Sequence, residues 1–289
     1  MFAVPLPLVP MAPALARPPF HRDGWVYEEK IDGWRMVAYK SGRRVRLISR
    51  KAVEHSGRFA ELAAAIASIK VDTLVLDGEV AVFDEKLVSR FHLLGDNETG
   101  VITTPPVFIA FDILQVGARD LRQRPLVERR RALEDLLEDV PFVFPCRRLS
   151  DDPSRAWEMV EERGYEGMVA KDPRSTYRQG VTRAWVKVKV RHEAVFHVGG
   201  LRDANAFDGV LVGEQIGDKL HYRGGASEPA DVLQLVRAVR MFRAQASPFA
   251  DLRSMRGAVW LDPYVRAEIS YAEIVAGRLR APSWRRLVT

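Results

Sequence analysis

The chain has 289 residues, 47% hydrophobic and 28% charged, with 44 Lys and Arg against 38 Asp and Glu for a formal net charge of +6. That is the composition of a globular chain with ample apolar content for a core and a length for one or two domains; no apolar run is long enough to span a bilayer. One cysteine, Cys146, excludes an intramolecular disulfide and a multi-cysteine zinc site and suits a reducing compartment, and the basic balance favours a polyanionic partner.

In chain order, the opening "MFAVPLPLVPMAPALARPPF" is apolar but broken by prolines and has no basic leader, so it is expected as an extended arm laid on the fold rather than a signal peptide. Three short strands are expected between Trp25 and Ile48, with turns at Asp32-Gly33 and Ser41-Gly42. Within them "EEKIDGWR" (28–35) admits two readings. Asp-Gly between strand-like residues is a strong hairpin signal, because glycine tolerates the positive φ of a tight turn. Alternatively, Lys30 is a nucleophile.

Phe59, Leu62, Ile66 and Ile69 recur at helical spacing in "GRFAELAAAIASI". "TLVLDGEVAVF" reads as two strands flanking a second Asp-Gly, and "VFIAFDIL" as a buried strand. "PLVERRRALEDLLEDV" is an amphipathic helix with Pro125 near its start and Leu126, Leu133 and Leu137 on one face. "DPSRAWEMVEERG" is a further helix, capped by Ser or Asp and stopped by Gly164, and "EGMVAK" and "WVKVKV" are strands. After about Val190 short strands alternate with Gly-rich turns around one helix expected over 228–243, the pattern of a small, partly open, OB-like barrel. The expected fold is α+β: residues 1–190 with antiparallel sheets and helices, then residues 191–289 as the OB-like domain.

Polar residues interrupt the strands. Glu79 follows "LVLDG", Glu166 opens "EGMVAK", and period two puts Lys187 and Lys189 on one face and Val186, Val188 and Val190 on the other. A solvated sheet face would explain the lysines; so would an anion held between them, since like charges side by side are unfavourable. Carboxylates suit Mg²⁺, and lysines and arginines suit phosphates. There is no Walker A loop and no GxGxxG, which excludes P-loop and Rossmann sites.

"KIDGWR", "SRK" (49–51), "LDGEVAVF", "FIAFDIL", "EGMVAK" and "WVKVK", in this order and spacing, resemble the motifs of the ATP-dependent DNA ligases of the covalent nucleotidyltransferase superfamily, in particular short bacterial ligases and the ligase domain of bacterial end-joining proteins. The resemblance implies that residues 1–190 form an adenylation (nucleotidyltransferase) domain. It implies that Lys30 is the adenylated nucleophile and that Glu28 reads the adenine amino group. Arg35 and Arg50 would hold ribose or phosphates. Glu79 would contact ribose and support a metal, Mg²⁺ or Mn²⁺, that Glu166 also serves. Phe111 and Val169 would flank adenine, and Lys187 and Lys189 would grip the α-phosphate. Asp32 either tunes Lys30 or shapes the turn. A free lysine is almost wholly protonated near neutrality, and neighbouring cations and metal are expected to lower the Lys30 pKa.

The family's basic C-terminal motif has no clean match in "GRLRAPSWRRLVT". Arg280 is the first candidate for contacting pyrophosphate, ahead of Arg278, Arg285 and Arg286. The expected substrates are ATP and nicked or broken double-stranded DNA, sealed in repair or end joining. The enzyme is expected to be minimal, monomeric, without a membrane, cytoplasmic and nucleoid-associated in a bacterium, and to work with end-binding or polymerase partners. The alternatives are an RNA ligase or capping-type nucleotidyltransferase, and a non-catalytic OB-type nucleic-acid-binding protein. Cys146 is expected as a small buried hydrophobe and Trp185 and Trp260 as core; His55, His92 and His197 lack metal spacing.

Overall fold

The computed structural model describes residues 2–95, 103–202, 209–227, 237 and 241–288. They are mostly strand with few helices and divide into two compact units, Met1–Val190 and Arg191–Thr289.

In the first unit the elements are β1 (Met11–Ala16), β2 (Val26–Glu29), β3 (Trp34–Ser41), β4 (Arg44–Ser49), α1 (Ala60–Ser68), β5 (Thr73–Ala81), β6 (Val107–Val116), β7 (Arg119–Asp120), α2 (Leu126–Leu137), β8 (Val143–Pro145), α3 (Pro153–Arg163), β9 (Gly167–Lys171) and β10 (Gly180–Lys189). They build two sheets. One has the order β1-β10-β9-β2; the other has the order β4-β3-β5-β6-β7, with β8 beside β6. The expected antiparallel pattern holds except for β1 with β10 and β8 with β6, which run parallel.

Alternation along the strands sorts the side chains into layers. Met36 and Ala38 of β3 and Leu74 and Leu76 of β5 pack against Leu62 and Ile66 of α1 and Leu133 and Leu137 of α2. Their neighbours Val37, Tyr39 and Val75 turn the other way, into a cluster with Met11, Phe111 and Trp185. On the first sheet, Tyr27, Met168, Ala170 and Val188 bury Ala156 and Val160 of α3. Each helix closes one sheet face by its apolar stripe, and α2 also turns Arg129 and Arg130 inward, where they are buried against Asp112 and Glu28. Asp152 caps α3 by accepting from the Ser154 and Arg155 amides, and Gly164 ends it at φ +70°. The N-terminal segment runs as an arm: Val4 and Leu8 are buried, the Leu8 amide donates to the Tyr39 hydroxyl at 2.9 Å, and that hydroxyl donates to Pro5 O at 2.8 Å.

Two local expectations fail. Asp32-Gly33 does not close a hairpin: β2 pairs with β9, while β3 pairs with β4 and β5, so the chain crosses there from one sheet to the other. Gly33 has no positive φ; a Cβ on it would lie 2.4 Å from Val80 O, so what requires glycine is close approach to β5. Likewise residues 73–81 form one continuous strand through Asp77-Gly78, paired on both sides by β3 and β6. A central strand with both ladders occupied has no room to reverse, which a local turn signal cannot reveal.

The second unit contains β11 (His192–Leu201), β12 (Val210–Ile216), β13 (Lys219–Ala226), β14 (Val259–Trp260), β15 (Arg266–Tyr271), β16 (Glu273–Val275), β17 (Arg278–Arg280) and β18 (Ser283–Val288). The sheet order is β13-β12-β11-β15-β18, all antiparallel, with β14 beside β11 and β16-β17 as a separate hairpin. Ser227, just beyond β13, bridges Ser283 at the start of β18, so the two edge strands meet. Phe196, Val198, Val212, Ile269 and Trp284 fill the interior. The helix expected over 228–243 lies largely outside the described residues.

Candidate active site

The inner faces of the two sheets in the first unit enclose a cleft of about 280 Å³. Strand register places its side chains in rows. Glu28, Val169 and Lys187 are directly opposed across β2, β9 and β10, and Lys171 and Trp185 form the next row on the same face. Gly167 opposes Lys189; a Cβ on it would lie 2.1 Å from Val188 O, so that position admits only hydrogen. On the facing sheet Arg35 opposes Glu79, and Phe111 follows on β6. Lys30, immediately after β2, and Arg50, immediately after β4, complete the lining.

One end of this cleft is fully partnered. The Glu28 carboxylate is buried; Oε1 accepts from Arg130 of α2, and Oε2 accepts from Lys171 Nζ at 2.6 Å. Lys171 also donates to Phe111 O at 3.1 Å and sits 4.2 Å from the Trp185 ring centre, and Arg130 Nη2 donates to Cys146 O at 2.6 Å. Arg35 grips the buried Asp77 with two hydrogen bonds, Nε to Oδ1 at 2.7 Å and Nη2 to Oδ2 at 2.6 Å, and Nη2 also donates to Met11 O. The Tyr177 hydroxyl donates to Asp77 Oδ2 at 2.6 Å. The Arg35 guanidinium lies 4.3 Å above the Phe111 ring and so covers one face of it.

The other end is charged and incompletely paired. Glu166 joins two lysines, accepting from Lys30 Nζ at 2.5 Å and pairing with Lys189 Nζ at 2.7 Å. Glu79, on the opposite sheet, makes no side-chain hydrogen bond or ion pair among the described residues. Burial, with Glu166 and Asp32 adding to it against Lys30 and Arg35, pushes the Glu79 carboxyl up to about 7. Burial, Lys189, Lys30 and Arg50 push the Lys187 ammonium below the ordinary lysine range. Both shifts mark groups whose charge the protein leaves poorly compensated.

The Lys30 ammonium behaves against expectation. Burial alone favours the neutral amine, but Glu166, Glu79 and Asp32 outweigh it and hold the group above its ordinary value. The sequence shows the cations of the site but not that carboxylates from three separate segments stand nearer. Asp32 is also structural: Oδ2 accepts from the Phe91 amide at 3.0 Å, and Ser89 Oγ takes the Asp32 amide at 2.9 Å. It therefore both shapes the crossing and adds charge near Lys30.

Of the residues singled out in the sequence, Glu28, Lys30, Arg35, Arg50, Glu79, Phe111, Val169, Lys187 and Lys189 line this one cleft, and Glu166 is tied to two of them. Arg280 belongs to the second unit, in β17, where Nη1 donates to Glu273 at 2.6 Å. Arg278, Arg285 and Arg286 each have a carboxylate partner too, in Asp251, Glu193 and Glu268. Sequence reasoning overlooked Lys171, Arg130, Asp77 and Tyr177. Lys171 was within reach, since period two from Val169 puts it on the same face; the other three depend on elements distant in the chain. Cys146 and Trp185 are buried as expected, yet both also line the cleft.

Residues 13–189 match the family model described as the ATP dependent DNA ligase domain. The multifunctional non-homologous end joining protein LigD of Mycolicibacterium smegmatis is 30% identical over 277 residues, 91% of this chain and 36% of that protein. DNA ligase C2 of the same organism is 34% identical over 225 residues, covering 71% of this chain and 62% of its own. The chain thus spans about a third of the length of the LigD relatives. Among solved structures, mycobacterial DNA ligase D complexed with ATP and MES superposes with a TM-score of 0.59 at 28% identity, covering 98% of this chain and 95% of that one.

Proposed function

Because the chain belongs to the ATP-dependent DNA ligase family, we propose that it seals breaks in double-stranded DNA through a covalent AMP on Lys30. The Lys30 amine attacks the α-phosphorus of ATP; a nitrogen–phosphorus bond forms and pyrophosphate leaves. The AMP passes to the 5′-phosphate at a nick, and the 3′-hydroxyl then attacks that phosphate and releases AMP. The observation that carries this reading is Lys30 at the charged end of the cleft, bound to Glu166 and faced by Glu79, with Lys187 and Lys189 in the same lining.

Lys30 enters as an ammonium, and Glu166, already at 2.5 Å, is the base placed to accept its proton. Lys187 and Lys189 take charge developing on phosphate oxygens, where fixed cations stabilise it without reorganisation. Glu28 accepts from the adenine amino group with lone pairs that Arg130 and Lys171 leave unused, since a carboxylate offers about four. Val169 and Phe111 flank the base. Arg35 retains Nη1 for ribose or phosphate, and Arg50 holds phosphates, including that of the nick. The lone Glu79 carboxylate and Glu166 form a hard oxygen donor set that fits Mg²⁺ or Mn²⁺. Such an ion, when bound, would screen phosphate charge and offset the carboxylates that keep Lys30 protonated.

The second unit, a ring of antiparallel strands closed at Ser227 and Ser283, is read as an OB-like module that grips duplex DNA, with Arg280 released from Glu273 to meet pyrophosphate in the first step. The LigD relatives are named for end joining, which supports that role here; a bacterial cytoplasm, end-binding or polymerase partners and a monomeric chain belong to the same proposal. The test is incubation with α-labelled ATP and Mg²⁺ followed by a denaturing gel, then a nicked duplex. A labelled band near 32.6 kDa that yields sealed DNA is expected. No label with ATP, or equal label with GTP, refutes the reading.

A further inference from the structure

We propose that the second unit carries a site for unpaired nucleotides of the DNA substrate, built on residues 241–266; this rests on the reading that the chain acts on DNA. Two sets of arginines in this unit contrast. Arg223, Arg278, Arg280, Arg285 and Arg286 each pair with a carboxylate of the same unit. Arg243, Arg253, Arg256 and Arg266 are exposed and make no side-chain hydrogen bond or ion pair among the described residues. The same stretch holds two acids, and one of them, Asp251, is already taken by Arg278. Its surplus positive charge therefore suits phosphates.

Aromatic rings stand among these cations. Residues 242–244 lie against 260–262: Arg243 bridges Leu261, the Ala244 amide donates to Trp260 O at 3.0 Å, and the Asp262 amide donates to Phe242 O at 2.7 Å. This frame borders a recess of about 510 Å³ lined by Arg243, Gln245 and Trp260. Trp260, expected as core, is only partly buried: it meets Phe249 edge to face at 6.2 Å and leaves surface to the recess. On the same frame Tyr264 is 76% exposed and leans on Phe242 with ring centres 5.5 Å apart.

Phosphates alone would not call for the rings. Unpaired bases stack on aromatic side chains whatever their sequence, while Arg243 can hold a phosphate and the Gln245 amide offers both a donor and an acceptor to a base edge. Bases inside a duplex are stacked on one another and cannot enter a recess. The occupant is therefore a single-stranded stretch, such as an overhang at a broken end.

The test is the fluorescence anisotropy of a labelled thymidylate of about 12 nucleotides, within the span of one OB-like module, titrated with the full chain in chelator and without ATP. Saturable binding is expected. Tyr264→Ala should weaken it about 5-fold or more, the low end for one lost stacking partner, and leave its salt dependence unchanged. Arg243→Gln should weaken it and reduce the log–log salt slope by about 0.7, the share of one phosphate contact on a single strand. Both side chains are exposed, and both variants should take AMP like the wild type. No saturable binding at physiological salt, normal affinity in either variant, a loss as large in Arg286→Gln, or equal losses on a blunt nicked duplex would each overturn the proposal. Because the readout is the binding of a single strand, a chain that takes no AMP can still pass this test, and one that adenylates can fail it.

Discussion

The two ends of the cleft between the sheets solve the same problem, ionised groups between two apolar sheets, in opposite ways. At the Glu28 end every charge is closed off within the protein: Glu28 by Arg130 and Lys171, Asp77 by Arg35 and Tyr177. At the Lys30 end charge is left over, with Glu79 making no side-chain hydrogen bond or ion pair among the described residues, Lys187 pushed down by burial and its fellow cations, and Glu166 shared between two lysines. A buried ion pair contributes little net stability, but losing one partner costs several kcal/mol. The first end is thus a rigid frame whose integrity depends on every member. The second is a site whose electrostatics are completed by what binds.

The largest effect expected from this contrast is at Lys30. Lys30→Ala should remove all covalent AMP labelling in a chain that remains folded, because its partner Glu166 keeps Lys189. Lys30→Arg should fail equally, since guanidinium stays protonated and is a poor nucleophile. Labelling of either variant, read on the same gel, breaks the distinction between frame and reactive end.

Glu28→Ala probes the frame. It strips Lys171 of its carboxylate and Arg130 of one of two, and should lower unfolding stability by about 3–5 kcal/mol in urea titrations. Glu79→Gln should leave stability near or above the wild-type value while cutting adenylation about 100-fold or more, a loss of the order assigned to one preorganised electrostatic group. Equal destabilisation by the two substitutions would mean the ends do not differ.

Proton linkage sharpens the comparison further. The folded Glu79 carboxyl titrates near 7 against an ordinary 4.5, so a proton competes with any divalent cation there below pH 7. The Mg²⁺ concentration that half-saturates adenylation should fall as pH rises from 6 to 8, and a flat series would detach Glu79 from the metal. Burial also raises Glu29 to about 7, against the pull of Arg147. A raised folded pKa makes the folded chain bind its proton more tightly, so the stability this confers is complete below 4.5 and lost between 4.5 and about 7. Glu29→Gln should therefore match the wild type near pH 4.5 and exceed it at pH 8 by at most about 3 kcal/mol in urea melts.

The smallest expected effect lies outside the cleft. Arg280→Ala should reduce self-adenylation roughly 10-fold, the scale of one charge-assisted contact, yet still seal a nick that already carries 5′-linked AMP. If both activities fall together in a folded variant, Arg280 acts on DNA instead.

What the sequence alone determined is what short range and periodicity control. Alternation in "WVKVKV" put Lys187 and Lys189 on one face, and helical spacing in "PLVERRRALEDLLEDV" buried Leu126, Leu133 and Leu137. Those features are set by backbone geometry within a few residues, so the string carries them. Only the tertiary structure decided where each segment pairs. Asp32-Gly33 looks like a hairpin turn because its local chemistry is that of one, but β2 finds β9 and β3 finds β5, and Gly33 serves to pass close to Val80. The sign of the Lys30 shift has the same origin: burial, Glu166, Glu79 and Asp32 come from different segments, and their opposing effects balance only once the fold fixes the distances between them.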